Sequence, residues 1–426
     1  MVRIPRHVTK YLPISAELLR WEAVQHAGRR RERSAGMDRV AERGLLETNI
    51  TPIDESMELL ENIVLDCDGL FEGDPSAVSK YKNWQYSLIS RIEATIQYSS
   101  SRCKAIKRMF QFTEQPLSQE EKDYPLAYGM VVYMNAVQKR PPLTWGEFEI
   151  INTTFACLEY LQRSKKRWKY FQYLSGVDVP LRTNLEMVQI LKRLNNTVNT
   201  LVEPYPHDRL RTRRLVYFWA SDSPLPLVKS SLSILLPRET AEELVNAPLS
   251  RKLLEFLAPT HIADESFWAT MLGNPEEFNI TGGFDAKRIL AFNEQFAQEQ
   301  PRAHENYIYS VVAMNGYISR YQVWTKRQCR GKIVRYSCVY GVEDLPIIAK
   351  QHHFVAHKLY IDFEPAAYFC LLKRTRKRAL SPTPFNSSIY AEIPMVEFSR
   401  GISFRNLTHP EWLLRLHEVL PPETMP

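Results

Sequence analysis

Residues 168–194 constrain the fold of this chain more than any other stretch. Trp168–Leu174 (WKYFQYL) is a short apolar and aromatic run of the kind that fills a buried strand. It ends at Ser175-Gly176-Val177-Asp178, Pro180 follows, and the pattern then predicts a helix from about Asn184 to Leu194. A glycine turn and an acid at the carboxyl end of a strand, followed by a helix, is where open α/β sheets place ligands. Asp178 is a candidate for contacts to ligand hydroxyls, or the cap of its own turn. No Asp-x-Asp pair lies near it to hold a divalent metal.

The neighbouring segments extend the same alternation. Leu126–Val137 (LAYGMVVYMNAV), with a β-rich centre at Met130–Tyr133, predicts a second buried parallel strand, and Phe148–Leu161 an amphipathic helix. Pro224–Leu236 suits a strand and Arg238–Leu257 a helix. In Pro259–Leu272 (PTHIADESFWATML), Asp264 and Glu265 open a run whose apolar residues Phe267, Trp268, Met271 and Leu272 recur at helical spacing. Glu265 is then expected in the first turn of a helix, where the helix end favours a carboxylate. It is either a general base facing a cleft or a first-turn glutamate behind an N-capping Asp264.

The chain has 426 residues and 44% hydrophobic content, enough for a large core and two or three domains' worth of structure. Its net charge of +7 comes from 55 basic and 48 acidic residues that are mixed along most of the chain, which argues against a nucleic-acid partner. The basic runs Arg29–Arg33 and Lys373–Arg378 read as solvated or juxtamembrane. No stretch reaches the roughly 18 apolar residues a membrane span needs, and no signal peptide is visible. Leu45–Leu65 is apolar and acidic, and Tyr81–Ile96 suits an amphipathic helix. Asn-x-Ser/Thr sequons at Asn49, Asn152, Asn195, Asn279, Asn386 and Asn406 favour ancestry in the secretory pathway. Six cysteines (67, 103, 157, 329, 338, 370) form no Cys-x-x-Cys pair and have no histidines at zinc-site spacing. They are either buried thiols or disulfides. Beyond Lys373 the chain turns basic and then Pro/Ser-rich to Ser388, which reads as a mobile tail with a short helix near Glu411–Val419.

Five segments in order, Asp123–Tyr128 (DYPLAY), Trp168–Glu186 (WKYFQYLSGVDVPLRTNLE), Pro259–Leu272, Arg335–Leu345 (RYSCVYGVEDL) and Phe354–Lys358, resemble the core-2/I-branching β-1,6-N-acetylglucosaminyltransferase family (glycosyltransferase family 14), in its nematode-like form. The resemblance spans roughly residues 100–372. It implies an α/β fold of glycosyltransferase-A type, a Rossmann-like mixed sheet flanked by helices. Residues 1–100 would form an N-terminal helical stem, 101–376 the catalytic domain and 377–426 the tail. It further implies inverting transfer of GlcNAc from UDP-GlcNAc to the 6-hydroxyl of an O-glycan on a glycoprotein, without a metal or other cofactor. The location implied is the Golgi lumen, behind a membrane anchor that this chain does not display. A homodimer is one assembly the resemblance allows.

Carried onto this chain, the resemblance makes Glu265 the catalytic base and Arg335 and Lys358 the cations that hold the donor diphosphate. Val131 and Tyr133 fall at the donor nucleotide, Tyr133 standing where the family has a histidine. Glu203, Arg209, Arg211 and Trp324 fall at the acceptor, and Lys326 stands where another branch of the family has an aromatic. Cys67 would pair with Cys370 and Cys329 with Cys338, leaving Cys157 unpaired and Cys103 without an identifiable partner. Between Gln138 and Trp145, some fifty residues of the donor-binding half are missing relative to the family. The shortening and Tyr133 leave open a glycan-binding relative impaired in catalysis, and the broader family leaves open a xylosyltransferase-type member.

Overall fold

In the computed structural model, residues 63–86, 117–130, 146–164, 167–210, 220–299, 316–324, 326–403 and 406–407 are described. The anticipated features over 29–33, 45–62, 87–96, 131–145 and 411–419, and with them Cys103, Asn49, Val131, Tyr133, Arg211 and the shortened stretch, lie outside these residues.

Helices α1 (Cys67–Glu72) and α2 (Pro75–Lys82) open the described chain, each started by an aspartate, Asp66 or Asp74, that accepts a backbone N–H in its first turn. The helix anticipated from Tyr81 does not begin there, because α2 ends at Lys82. Ser118 and Glu121 form a capping box on α3 (Gln119–Asp123). Strand β1 (Leu126–Met130) then leads to α4 (Phe148–Arg163), whose Ile151, Phe155 and Leu158 are fully buried. Strand β2 (Tyr170–Leu174) pairs in parallel with β1, as its apolar run predicts. Gly176 turns the chain with φ 81° into β3 (Asp178–Pro180). Thr183 and Glu186 then box the start of α5 (Asn184–Leu194).

The predicted single strand over Pro224–Leu236 is two. β4 (Glu203–Pro204) takes β5 (Val228–Lys229) as its antiparallel partner, whereas β6 (Leu235–Pro237) leaves to pair with β2. The serines between them are spent on other elements: the Ser230 N–H donates to the Glu265 carbonyl at 2.7 Å, and the Ser233 hydroxyl lies 2.8 Å from that of Ser319. Likewise the helix expected over 238–257 is divided at Ala247-Pro248 into α6 (Arg238–Asn246) and α7 (Pro248–Leu257), since proline cannot continue a helix but starts one well. Helices α8 (Phe267–Leu272) and α9 (Ala286–Glu299) follow.

Strand β7 (Arg320–Gln322), the antiparallel hairpin β8 (Lys332–Val334) and β9 (Ser337–Val339), helix α10 (Leu345–Ile348) and strand β10 (Val355–His357) complete the sheets. One sheet has the order β1-β2-β6, the other β3-β10-β7, with β10 parallel to β7 and antiparallel to β3. This is a mixed α/β body, compatible with a glycosyltransferase fold. Around the first sheet packs a large core that includes Phe155, Phe171, Phe267 and Trp268. Around the second packs another, containing Leu70, Tyr340, Val342 and Cys370, which draws α1 and α2 onto α11 (Pro365–Leu380). Two disulfides, Cys67–Cys370 and Cys329–Cys338, stitch this second core, and Cys157 is free.

The reading of a mobile tail is corrected for residues 381–403. The basic run 373–378 is part of α11, and α12 (Pro394–Ser399) follows it. Tyr390, Ile393, Met395 and Val396 are buried in the first core. The Tyr390 hydroxyl donates to the His352 carbonyl at 2.9 Å, and Arg193 donates to the Ser387 hydroxyl at 3.2 Å. Four buried apolar side chains, at about 1.5–3 kcal/mol each, outweigh what the segment's Pro/Ser-rich composition suggests. Of the sequons, Asn195, Asn279, Asn386 and Asn406 are exposed, while Asn152 is half-buried within α4. No described helix is long and apolar enough to cross a membrane.

Candidate active site

Glu265 does not sit in a helix's first turn. Ile262 takes a left-handed conformation (φ 53°), Ala263–Glu265 forms a single 3-10 turn, and α8 begins at Phe267 behind Ser266. Asp264 is not the N-cap. The turn is held from outside: the Ile262 N–H donates to the Gly146 carbonyl at 3.2 Å, and the Ser230 N–H to the Glu265 carbonyl at 2.7 Å. α8 is buried from Phe267 to Leu272, so the turn stands on a rigid floor.

The Glu265 carboxylate accepts a hydrogen bond from Arg209 Nη2 at 2.7 Å in an ion pair whose side chains are 15% and 9% exposed. Arg209 comes from a short 3-10 turn, His207–Leu210, whose Arg209 carbonyl accepts from the His261 N–H at 2.9 Å. Its Nη1 is buried and has no partner among the described residues. Glu203, at the start of β4, forms an ion pair with Lys229 of β5. Since Ser230, next to Lys229, holds the Glu265 carbonyl, the β4–β5 pair and the Arg209 turn bring Glu203, Arg209 and Glu265 into one cluster. Burial and the neighbouring Glu265 charge push the Asp264 carboxyl up to about 7; one of its oxygens is buried without a partner among the described residues.

A second group forms at the carboxyl end of β10. Lys358, directly after that strand, donates to the Val334 carbonyl at 2.8 Å, at the tip of the β8–β9 hairpin. That tip is Arg335-Tyr336, both with positive φ and both exposed. Burial, then the Arg335 and Arg320 charges, bring the Lys358 ammonium down to about 8. Among the described residues neither Lys358 nor Arg335 has a carboxylate within ion-pair distance. Crowded cations without an acid partner make a place that an anion stabilises.

Asp178 adjoins the second group through its register partner His357, and its neighbours occupy its carboxylate. Its Oδ2 accepts from the Ser175 N–H (2.6 Å) and hydroxyl (3.0 Å), and its Oδ1 lies 2.7 Å from His357 Nδ1. Asp178 therefore caps its turn and orients a histidine instead of standing free for a ligand. Burial and the Arg320 charge bring the His357 imidazole down to about 4, so near neutrality it is neutral and donates from Nδ1 to Asp178. Trp324 lies half-buried just past β7, on the way to Cys329, and Lys326 is exposed. No three His, Cys, Asp or Glu side chains of the described residues cluster at metal-binding spacing. The sequence motifs missed Lys229, His357 and Arg320; only the β5, β10 and β7 registers bring these residues to the site.

The site thus holds a largely buried carboxylate and, apart from it, a pair of cations with no carboxylate within ion-pair distance among the described residues. Comparison with known proteins names the family. The family model described as Core-2/I-Branching enzyme matches residues 117–349, more than half of the chain. The chain is 24% identical over 397 residues to the human beta-1,3-galactosyl-O-glycosyl-glycoprotein beta-1,6-N-acetylglucosaminyltransferase 3, covering 75% of this chain and 84% of the relative. To the sheep (Ovis aries) protein of the same name it is 23% identical over 396 residues, with the same coverage. To the Bovine herpesvirus 4 beta-1,3-galactosyl-O-glycosyl-glycoprotein beta-1,6-N-acetylglucosaminyltransferase it is 23% identical over 384 residues, again covering 75% and 84%. The protein is a glycosyltransferase, N-acetylglucosaminyltransferase-like in kind. It belongs to the core-2/I-branching enzyme family.

Proposed function

We propose that the chain transfers GlcNAc from UDP-GlcNAc to the 6-hydroxyl of a glycoprotein O-glycan, with inversion and without a metal. The observation that carries this reading is the Lys358–Arg335 pair, two crowded cations with no acid partner among the described residues. In the transfer, Glu265 takes the proton of the acceptor hydroxyl while the acceptor's own oxygen attacks C1 of the donor sugar. The C1–O bond to phosphate breaks, its electron pair leaves with UDP, and Lys358 and Arg335 neutralise the diphosphate. No covalent intermediate and no second carboxylate are needed. Arg209 orients Glu265 before the acceptor enters.

In the same proposal Glu203, Arg209, Arg211 and Trp324 hold acceptor hydroxyls, and Val131 and Tyr133 the uridine. The sheets belong to a glycosyltransferase-A type fold, with residues 1–100 a helical stem, 101–376 the catalytic domain and 377–426 a C-terminal extension. The sequons and the two disulfides favour an oxidising, secretory location, which we place in the Golgi lumen behind a membrane anchor. A homodimer is the assembly we would look for. The test is radiolabelled GlcNAc transfer from UDP-GlcNAc to a β-1,3-galactosyl-N-acetylgalactosaminide in EDTA. Transfer at the wild-type level with EDTA, lost in Arg335→Met/Lys358→Met, is expected. Transfer that EDTA abolishes, or that the double variant retains, refutes the reading.

A further inference from the structure

Arg320 is a buried cation for which the fold has little use. It opens β7, is 8% exposed, and among the described residues makes one long hydrogen bond, from Nη2 to the Ser231 hydroxyl at 3.3 Å. Its Nε is buried and has no partner among the described residues, where no carboxylate comes within ion-pair distance of it. A guanidinium taken out of water on such terms is costly. Apolar packing is already supplied by Tyr321 on this strand and by Ile318 just before it.

Its position explains the cost. Arg320 is in register with Val355, Val355 with Pro180, and two residues along His357 is in register with both Gln322 and Asp178. Side chains two apart on a strand share a face, so Arg320, His357 and Asp178 project from one face of the β3-β10-β7 sheet. From there the guanidinium reaches Ser231, whose hydroxyl also accepts from the Tyr317 hydroxyl at 3.1 Å. Ser231 follows Ser230, the residue that holds the Glu265 turn. One buried side chain thus spans the root of the Glu265 turn and the strand that carries Lys358.

We propose that Arg320 is a positioning residue, a fixed charge that joins the two halves of the site and holds the Glu265 turn and the Lys358 strand in one alignment and one charge state. It touches neither reacting atom. The groups around it are Asp178 on β3, His357 and Lys358 at the end of β10, Asp264 in the Glu265 turn and Tyr317 on its own segment, and its charge lowers the proton affinity of all five. It thereby adds to the burial that keeps His357 neutral, and it holds Asp264 closer to ionised. The inference rests on the proposed transfer for the purpose of the alignment, though the coupling itself exists without substrate.

The test measures the coupling directly. Lys358 is titrated by NMR of the 13C-dimethylated protein, its signal assigned with Lys358→Arg, in the wild type, Arg320→Gln and Arg320→Lys. The expected wild-type midpoint is near 8. Arg320→Gln moves it up by about one pH unit, and Arg320→Lys leaves it near the wild-type value. The alkaline limb of the transfer rate moves up with it in Arg320→Gln, and kcat falls with little change in KM for the acceptor. A purely structural arginine would lower the rate without moving either midpoint, and that result overturns the proposal. If Arg320→Gln does not fold, Arg320→Met, which removes the charge and leaves no polar group to bury, is titrated in its place, and an unmoved Lys358 midpoint there is equally fatal. If the wild-type protein transfers nothing while the midpoints move as stated, it is the transferase reading that fails and the coupling that stands.

Discussion

Replacing Glu265 by glutamine, alone and together with Arg209→Met, separates the chemistry of the site from its stability. The side chain keeps its shape and an acceptor oxygen for Arg209 Nη2 but can carry no negative charge, leaving the buried guanidinium opposite a neutral amide, with its Nη1 without a partner among the described residues. Removing one partner of a buried pair costs about 3–5 kcal/mol when burial is complete. With side chains 15% and 9% exposed, about 2–3 kcal/mol is expected here. Loss of a general base slows proton transfer by about 10²–10⁴-fold, roughly 3–5 kcal/mol of activation free energy. The two losses are comparable in size, so stability alone could mimic catalysis. The double variant Glu265→Gln/Arg209→Met decides between them, because it removes the stranded cation without restoring a base. Denaturant unfolding is expected to show the double variant recovering most of the lost stability. GlcNAc transfer, measured on folded protein, is expected to stay at least 10²-fold below wild type in both. If the double variant regains transfer along with stability, or if Glu265→Gln alone keeps more than a tenth of wild-type activity, Glu265 is not the base.

Three further outcomes follow from the same geometry. Lys358, brought down to about 8, loses its charge as pH rises through that value, so UDP affinity measured by calorimetry is expected to fall from pH 7 to 9, while bound diphosphate shifts the drop upward; unchanged affinity at pH 9 would remove Lys358 from the phosphate site. Burial lowers His352 and His357 to about 4 and His353 to about 3. Below about pH 6.5 the unfolded chain therefore takes up three protons that the native state refuses, whereas Asp264, raised to about 7, takes one in the native state only. The net two protons make stability fall by roughly 3 kcal/mol per pH unit between pH 6 and 5, read from denaturant midpoints; a flat profile contradicts the burial of these histidines. Cys67→Ser/Cys370→Ser opens a link between residues 303 apart and is expected to cost up to about 5 kcal/mol, with α1 detaching first as seen by hydrogen exchange.

Much of this architecture is legible in the amino-acid order, for reasons that differ by element. The parallel strand before Ser175 and the helix after Thr183 are local: an apolar run, a glycine with positive φ and a capping box each announce themselves within a few residues. The two disulfides and the glutamate, lysine and arginine of the candidate site follow from the family resemblance alone, and the structure forms the disulfides as expected. What the order hides is partner choice. Nothing in Pro224–Leu236 says that Val228 pairs with Pro204 while Leu235 turns to Gln172, since the serines between carry no period. The 3-10 turn at Glu265 escapes for a related reason: its hydrogen bonds run to Gly146 and Ser230, remote in sequence, and override the helical spacing of Phe267 to Leu272. Arg320 and His357 escape because each lies in a short strand and acquires meaning only through the β3-β10-β7 register. Composition misled for residues 381–403, where a few buried apolar side chains, Tyr390 above all, decide the outcome over many prolines and serines.

The central claim is that Glu265 and two cations that meet no carboxylate among the described residues perform one inverting transfer, and the linkage of the product tests it most directly. UDP-GlcNAc and a β-1,3-galactosyl-N-acetylgalactosaminide would be incubated with the chain in EDTA and the product read by two-dimensional NMR. The account predicts a single new GlcNAc in β configuration on a 6-hydroxyl, absent in Glu265→Gln. An α-linked product, attachment at another hydroxyl, or a product that forms only with added divalent metal would contradict it.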